Sequence, residues 1–494
     1  MDSHNELVNT VVERIRDFHE RKVPFKIYHG STNSTRDAGF QRDKIVDTSK
    51  LDRVLKVDTT AKTALVEPNV GMDRLVEETG KCGLVPEVVM EFPGITAGGG
   101  FVGMAGESSS FRYGFFNQTA NWIEVVLANG ELVKASPTEN QDLFRGASGS
   151  FGTLGVLTLL EIRLVERRRF VEVTYDPVSS IPEAVAKIED CRANKEVEYV
   201  DAILYSANSG VIVTGRQTDG ATGLRKQGFL KSTDPWFYLH AKKILKKNKE
   251  KPTKELVPIE DYLFRYDRGA FWTGEYAFKW FVTPFNRITR WALDHFMHTR
   301  VMYHALHKSG HSKQYIIQDL AIPVSRVQDF IQYVDDSFGI YPLWLCPLRE
   351  DGKYAASPNG GKDSILETNE HLLNVGVWGP GPTKYPEFVE KNREMESKVR
   401  EFGGVKWLYA QAFYTEEEFW SIYDRQAYDE LRAKYHASNL PTVYSKTNAP
   451  LVEPVPDPST WRGWLRHKTF GVWPISGVYG VVSTVLSKEY LLKK

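Results

Sequence analysis

Three loops rich in glycine, serine and threonine near the start of the chain constrain its fold more than any other feature. They cover residues 28–36, 93–114 and 146–156. Glycine lets a ligand approach the backbone closely, and successive N–H groups together with hydroxyls form a nest for an anion. A single loop of this kind is more simply explained as a tight turn. Three of them in one module favour a site for a pyrophosphate joined to a neutral ring system.

The second loop contains Gly98, Gly100 and Gly103, which match the G-x-G-x-x-G pattern of dinucleotide-binding folds. That fold requires an apolar strand directly before the glycines and a helix after them. Residues 91–97 include Pro93 and no apolar run of strand length, and the polar residues 107–110 follow. The pattern therefore does not indicate a nucleotide-binding βαβ unit.

The spacing of apolar residues predicts an α+β architecture in two parts. From 25 to 166, short strands alternate with the loops, and Asn129-Gly130 predicts a hairpin turn. From 167 to 408, strands alternate with helical runs, which predicts a sheet backed by helices. We expect strands at 45–57, 64–68, 122–127, 132–135, 154–165, 170–175, 202–205, 211–214, 315–321, 343–347 and 372–377, and helices at 71–83 and 324–335.

Composition excludes several functional classes. The 63 basic and 63 acidic residues cancel, so the chain lacks the basic excess of a nucleic-acid-binding protein. Cys82, Cys191 and Cys346 form neither a disulfide framework nor a CxxC zinc site, which favours a reduced, intracellular compartment. Five histidines between 295 and 311 lack the carboxylate or cysteine that would complete a metal set, so we expect no metal. Residues 1–23 have the pattern of an amphipathic helix rather than of a signal peptide.

Two segments have patterns typical of contact with a membrane surface. Residues 469–487 carry no charge, but Pro474 and three glycines interrupt them, which favours a surface-lying or protein-buried segment over a span. Aromatic residues at 236–238 precede a lysine-rich stretch at 242–251, as in an interfacial helix, although an ordinary solvated helix explains them equally well. Aromatic side chains make up 12% of the chain and are dense between 236 and 291, which suits an apolar substrate.

Residues 107–114, the strand and turn at 122–130, and the segment 136–144 together resemble one known family. Further similar stretches lie at 235–237, 318–323, 341–347, 408–410 and 417–420. With the order of the three loops, they resemble the Δ24-sterol reductases (the 24-dehydrocholesterol reductase and Diminuto-like branch) of the vanillyl-alcohol oxidase-type FAD-binding superfamily. The resemblance covers about residues 45–445. It extends neither to the N-terminal transmembrane segment typical of the family nor to the tail after Pro450.

The resemblance implies an α+β fold in which a two-subdomain, PCMH-type FAD-binding module at 1–166 joins a substrate (cap) domain at 167–408 with an antiparallel sheet and helices. Residues 409–449 would return to the flavin domain, and 450–494 would form a proline-rich linker and an apolar tail. Asn33 stands where many oxidases of the superfamily carry a flavin-linked histidine, so we expect FAD to be bound non-covalently. The implied cofactor contacts are Gly30, Ser31, Thr32, Asn33, Ser34, Thr35, Thr96, Gly98, Gly99, Gly103, Ser108, Ser109, Gly155 and Val156.

The resemblance also implies an activity: reduction of a carbon–carbon double bond in a sterol or isoprenoid-like side chain. A proton adds to the alkene and reduced flavin gives a hydride, with NADPH or NADH as the electron donor. The reaction needs an acid in an apolar pocket, and aromatic faces to stabilise cationic character. The candidate acids are Glu107, Asp319 and Tyr409, and additionally His311. Glu107 is also suited to bind the ribityl chain, Tyr409 to be a buried hydroxyl, and alternation lets only one of Gln318 and Asp319 face a pocket.

Two other functions fit the same residues. An FAD-dependent alcohol oxidase or dehydrogenase of this superfamily would have its flavin bleached by the alcohol. A membrane-associated scaffold with a vestigial flavin fold would purify without a yellow cofactor. The reductase hypothesis implies a lipophilic, sterol-like alkene as partner, peripheral membrane contact, and a location in the cytoplasm or at the endoplasmic reticulum membrane.

Overall fold

Two sheets form the N-terminal part of the computed structural model, which describes residues 2–30, 42–248, 250–349, 370–452 and 473–487. A parallel pair flanks the first loop and consists of β1 (Lys26–Tyr28) and β2 (Ile45–Asp47). The larger sheet is antiparallel and consists of β3 (Val54–Asp58), β4 (Thr63–Val66), β5 (Leu84–Pro86), β6 (Ala120–Leu127), β7 (Leu132–Ala135) and β8 (Gly155–Glu166). Its order is β3-β4-β8-β6-β7, with β5 also paired to β8. The α+β fold class is confirmed.

Five helices pack around these sheets. They are α1 (Asp2–Glu20), α2 (Met72–Gly80), α3 (Ala97–Gly103), α4 (Ser110–Tyr113) and α5 (Gln141–Ala147). The amphipathic pattern of the N-terminus is confirmed, because Val11, Ile15 and Phe18 of α1 are buried. The glycines of the G-x-G-x-x-G pattern lie within α3 and no strand directly precedes it, so the absence of a βαβ nucleotide unit is confirmed.

A buried histidine fastens α1 to the module. His4 Nδ1 lies 2.8 Å from Glu67 Oε1, and its Nε2 lies 3.5 Å from Glu124 Oε1. Burial by itself would lower the pKa of His4, but the hydrogen bonds to Glu124 and Glu67 outweigh it and raise the pKa to about 9. Arg53 also pairs with Glu67, at 2.9 Å.

The contacts of His4 with Glu67 and Glu124 predict that the free energy of unfolding depends on pH. Because the pKa of His4 is raised from 6.5 to about 9 on folding, its contribution is complete below pH 6.5 and is lost as the pH rises through 9. A His4→Gln variant should therefore lose less stability than the wild type between these pH values, by at most about 1.4 kcal/mol per pH unit. Denaturant unfolding at several pH values measures this. The matched control is His19→Gln, on an exposed position of the same helix; an equal change in both variants would contradict the prediction.

The second part of the chain is built on an antiparallel sheet of eight strands among the described residues. They are β9 (Phe170–Val178), β10 (Tyr199–Ser206), β11 (Ser209–Thr218), β12 (Thr253–Pro258), β13 (Tyr315–Pro323), β14 (Leu343–Leu348), β15 (Leu372–Pro380) and β16 (Val405–Lys406), in the order β12-β9-β11-β10-β14-β15-β13-β16. The helices of this part are α6 (Ile181–Ala193), α7 (Phe237–Lys247), α8 (Ile259–Leu263), α9 (Thr273–Trp280), α10 (Arg287–Ala292), α11 (Thr299–Ser309), α12 (Val324–Phe338) and α13 (Tyr385–Glu401).

The two faces of this sheet have different neighbours. One face, which includes the paired residues Leu345 and Val375, packs against α6, α12 and α13. The opposite face carries Trp344 and Trp378 and belongs to one continuous apolar core with the N-terminal module. The sheet backed by helices is therefore confirmed, and its other face is the one that can complete a site with the module.

Among the described residues, four further helices follow α13: α14 (Glu416–Ile422), α15 (Arg425–Lys434), α16 (Val443–Thr447) and α17 (Ile475–Ser487). Helix α17 lies on the surface against α9 and α11. A β-carbon at Gly477 would meet Trp280, and one at Gly480 would meet the Ala305 carbonyl at 2.7 Å. Among the described helices, none combines the length and apolarity that a membrane span requires.

The structure corrects two expectations about local structure. The predicted strand at 45–57 is two strands, β2 and β3, because a turn closed by the bond from Leu51 N to Thr48 O at 2.8 Å separates them. Trp236, Phe237 and Tyr238 are buried in the core, so the interpretation of 236–238 as an exposed interfacial anchor is wrong. The hairpin at Asn129-Gly130 is confirmed, with Gly130 at φ +82°.

Candidate active site

Asp319 lies in β13 on the sheet face that is turned toward the N-terminal module. Its neighbour Gln318 points the opposite way, where its Nε2 donates to Asn392 Oδ1 of α13 at 2.8 Å. The alternation of the strand therefore selects Asp319 over Gln318 for the interface between the two parts of the chain.

The Asp319 carboxyl is 2% exposed and has three polar neighbours. Asn374 Nδ2 donates to its Oδ1 at 3.2 Å, and Tyr409 and Trp378 also form side-chain hydrogen bonds with it. Burial raises the pKa of Asp319 to about 6, although the three hydrogen bonds lower it. A carboxyl with this pKa is partly protonated near neutral pH and is suited to donate a proton.

Tyr409 reaches Asp319 from a turn that follows β16. Tyr409 does not lie in a strand, because the regular pairing of this segment ends at Lys406. Burial raises the pKa of Tyr409 well above its usual value, and the negative charge of Asp319 raises it further. The phenol therefore stays protonated and donates to Asp319.

Aromatic rings enclose this acid. The ring of Phe92 lies 5.6 Å from Phe271, 6.0 Å from Tyr303 and 5.9 Å from Trp378. Phe92 directly precedes the second glycine-rich loop, whereas the other three belong to the second part of the chain. Electron-rich faces at this position can stabilise positive charge on a bound carbon skeleton.

A glycine turn places Phe271 in this group. Gly269 has φ +87°, and a β-carbon there would lie 2.7 Å from the Trp236 ring. The buried Trp236 ring thus packs against the backbone of this turn. The next residue but one, Phe271, also adopts positive φ and stacks on Tyr266 at 4.2 Å.

A narrow crevice lies beside Asp319 between α11 and β13. Its volume is about 10 Å³, room for about one water molecule, and it is lined by Tyr303, Leu306, His307, Ser312, Tyr315, Ile317 and Gln411. Ile317 is two residues before Asp319 and so shares its face. The crevice therefore lies near the acid, on the side of β13 that α11 covers.

Glu107 belongs to a different group of buried polar side chains. It is 2% exposed and accepts hydrogen bonds from Ser108 Oγ at 2.8 Å and from Ser109 N at 3.0 Å. The Ser109 hydroxyl also contacts it. Burial raises the pKa of Glu107, although these bonds lower it. Glu107 is thus held by its own loop and lies apart from the Asp319–Tyr409 pair.

The buried cation Arg265 lies beside the Glu107 loop and pairs with a second buried carboxyl group, that of Asp201. Arg265 donates to Asp201 Oδ2 at 2.8 Å and to Ser108 Oγ at 3.4 Å. Trp344 Nε1 and the Tyr266 hydroxyl also donate to Asp201, at 3.0 Å and 2.8 Å. The cluster joins the second glycine-rich loop to β10 and β14, and so fixes the module against the sheet.

Glu91 is a buried acid that sequence reasoning missed. Its Oε1 has no hydrogen-bond partner among the described residues. Burial and the charge of Glu107 raise its pKa well above the usual value, against the charge of Arg265. Its position one residue before Phe92 of the aromatic group was the signal in the sequence.

His311 does not join the acid site. It lies in a turn after α11, and its ring is 4.4 Å from the Trp280 ring near α17. Burial lowers its pKa. Gly310 ends α11 before it with φ +80°, and no group of three metal-binding side chains occurs in the described parts of the chain.

The predicted cofactor residues fall into three groups by their place in the structure. Ser31, Thr32, Asn33, Ser34 and Thr35 lie outside the described residues. Thr96 caps α3 by accepting from Gly99 N at 3.1 Å, Gly98 packs on Pro68, and Ser108 and Ser109 are buried around Glu107. Gly155 and Val156 begin β8, where they pair with Leu127 and Val126. Their contacts with a cofactor remain predictions.

The described ends of the loops nevertheless lie close together. Gly99 is exposed, and a β-carbon at Gly103 would meet only Phe151, at 4.0 Å. A β-carbon at Gly152 would lie 2.6 Å from Ile27 of β1. The stem of the first loop, the second loop and the third loop therefore converge, and the backbone at Gly103 has room for a ligand such as a flavin nucleotide.

Comparison with known proteins agrees with this geometry. A family model described as an FAD binding domain matches residues 6–136. The human Delta(24)-sterol reductase is 30% identical over 406 residues, which are 80% of this chain and 75% of that protein. The Arabidopsis thaliana Delta(24)-sterol reductase is 29% identical over 439 residues, 81% of this chain and 76% of that protein. Rice cytokinin dehydrogenase 9 is 27% identical over 147 residues, which are only 29% of this chain.

Proposed function

The chain belongs to the Δ24-sterol reductase family of FAD-dependent oxidoreductases, and from this premise we propose that Asp319 is the proton donor for reduction of a sterol side-chain double bond. The protein is an FAD-dependent reductase of a carbon–carbon double bond, and the alternative of alcohol oxidation is not favoured. The observation that carries the assignment is a buried carboxyl with a pKa of about 6, bonded to Tyr409 and surrounded by aromatic rings.

The reaction divides between the cofactor and the side chains. Reduced FAD supplies the hydride when it is bound. Asp319 gives its proton to the less substituted alkene carbon, which leaves cationic character on the more substituted carbon. The faces of Phe92, Phe271 and Trp378 stabilise that charge and exclude water. Tyr409 and Asn374 orient the carboxyl, and Glu107 holds the second loop.

Asp319 is the better donor of the two hydrogen-bonded acids. The pKa of Asp319 lies near 6, within reach of neutral pH, whereas burial makes the Tyr409 phenol a much weaker acid. Tyr409 is a positioning residue, because its hydrogen bond keeps the carboxyl in place.

We further propose NADPH or NADH as the source of electrons. Anaerobic titration of purified, FAD-loaded protein tests the function: NADPH or NADH should bleach the flavin, and desmosterol should restore the oxidised spectrum with formation of the reduced sterol. Bleaching by an alcohol, without bleaching by either nicotinamide, would instead indicate the oxidase.

A membrane surface is the proposed source of the sterol. Large apolar side chains are exposed in two segments that meet where Trp473 Nε1 donates to Trp280 O at 2.8 Å. These side chains are Val282, Ile288, Trp291, Trp473, Ile475, Val478, Tyr479, Val482 and Leu486. Since α17 lies on α11, and α11 also borders the crevice near Asp319, this face is the proposed side from which a sterol approaches the acid.

The membrane proposal predicts the behaviour of a double variant in α17. Val482→Asp with Leu486→Glu should weaken binding to phosphatidylcholine vesicles by at least about tenfold, because each exposed side chain contributes about 1 kcal/mol or more when buried in lipid. Vesicle flotation measures the bound fraction. The matched control is Leu132→Glu, a 47% exposed leucine in β7. An equal loss in the control, or no loss in the double variant, would contradict the proposal.

A further inference from the structure

The C-terminal helix α16 lies against the third glycine-rich loop. The Tyr428 hydroxyl donates to Thr153 Oγ1 at 2.8 Å and accepts from Val443 N at 2.8 Å. This shared hydroxyl fixes the start of α16 beside the loop. Lys446 is on the same helix, and its Nζ donates to the carbonyl of Phe151 at 2.5 Å.

The backbone of the third loop is turned at this point. Gly149, Phe151 and Gly152 all have positive φ, of +73°, +53° and +75°. Turns of this kind point successive N–H groups to one side and form a concavity for an anion. A β-carbon at Gly152 would lie 3.6 Å from Lys446 Nζ, so the ammonium group is at the edge of this turn.

His29 meets the same place from the first loop. Its Nδ1 is buried and has no hydrogen-bond partner among the residues that the structure describes. Burial and, secondly, the charge of Lys446 lower the pKa of His29 to about 4. The effect of the Lys446 charge indicates that the two side chains lie near one another. His29 is therefore a neutral imidazole with an unused nitrogen, next to a lysine.

We propose that Lys446 and His29 bind the diphosphate of FAD, so that the C-terminal segment contributes to the cofactor site. The inference rests on the proposed use of FAD. A diphosphate carries two negative charges, a lysine ammonium is a compact positive partner for it, and a neutral imidazole adds a hydrogen bond. Lys446 is distant in sequence from the three loops, and so is a binding residue that their pattern does not reveal.

The test compares ligands that contain and lack the diphosphate. Lys446→Met should weaken FAD binding about 10- to 100-fold, as expected for loss of a charge-assisted hydrogen bond. It should weaken ADP by the same factor and leave riboflavin, which has no phosphate, unchanged. Affinities follow from flavin fluorescence and from calorimetry with ADP. Lys446→Arg should retain most of the FAD affinity, and His29→Leu should show a smaller loss.

The control is Lys434→Met, on the neighbouring α15, where Lys434 is 59% exposed. It should bind FAD as the wild type does. The inference is overturned if Lys446→Met binds FAD within twofold of the wild type, or if riboflavin loses affinity by the same factor as FAD. If the wild type itself binds no FAD, the proposed function fails instead. Circular dichroism and thermal unfolding of each apoprotein establish that the variants fold.

Discussion

An Asp319→Asn variant is expected to lose alkene reduction by about 10²- to 10⁴-fold, the usual contribution of a positioned general acid. Asparagine keeps the shape of the side chain and an oxygen that accepts from Asn374 Nδ2, but it has no proton of suitable acidity. Reduction of the flavin by NADPH does not need this proton and should keep its wild-type rate. Anaerobic stopped-flow measurements separate the two half-reactions, since flavin bleaching reports the first and reoxidation by desmosterol the second.

The pH dependence of reoxidation gives the same assignment a second readout. Because Asp319 must be protonated to donate, the rate should fall as the pH rises through about 6. The hydrogen bond from Tyr409 lowers the pKa of Asp319, so Tyr409→Phe should move this fall to higher pH while keeping part of the rate. The matched control is Asp336→Asn, on the exposed side of α12. Reoxidation within threefold of the wild type in Asp319→Asn would refute the assignment.

Arg265→Met is expected to destabilise the folded protein by about 3–5 kcal/mol, the typical cost of leaving a buried charge without its partner. Arg265 is 1% exposed and Asp201 is fully buried, so water cannot replace the lost cation. Glu107 and Glu91 also lose its positive charge. Denaturant unfolding of the apoprotein measures the change in the free energy of unfolding.

A double variant separates the lost charge from lost packing. Arg265→Met combined with Asp201→Asn removes both members of the ion pair and should recover a large part of the stability, because no unpaired charge remains at that position. A single-variant effect below about 1 kcal/mol would show that the cluster does not depend on this pair. The same would follow if the double variant were less stable than Arg265→Met.

The sequence indicated most of the elements but only part of the site. Period-two alternation at Gln318 and Asp319 predicted that one of the two would face a pocket, and the register of β13 with β15 decides for Asp319. Apolar patterning could not find Tyr409 in its turn, because a turn has no period. Apolar patterning also could not distinguish a buried Trp236, which packs under Gly269, from an aromatic anchor at a membrane interface. Both environments favour aromatic residues.

The remaining site residues depend on contacts between distant segments. The pKa of Glu91 is raised only when the folded chain buries it. Lys446 contacts Phe151 only after the C-terminal helices return to the third loop. Such encounters carry no local signal in one sequence. The glycine-rich loops were the exception, because backbone that approaches a ligand closely restricts residue type directly.

The continuous apolar core beneath Trp344 and Trp378 limits how the protein can move. The module and the sheet complete each other's interior, and the Asp201–Arg265 pair lies in the seam between them. Separating the two parts like the halves of a clam shell would expose that interior and solvate the pair at high cost. We therefore expect the module and the sheet to stay packed against each other when ligands bind, so that any opening that admits a sterol is local.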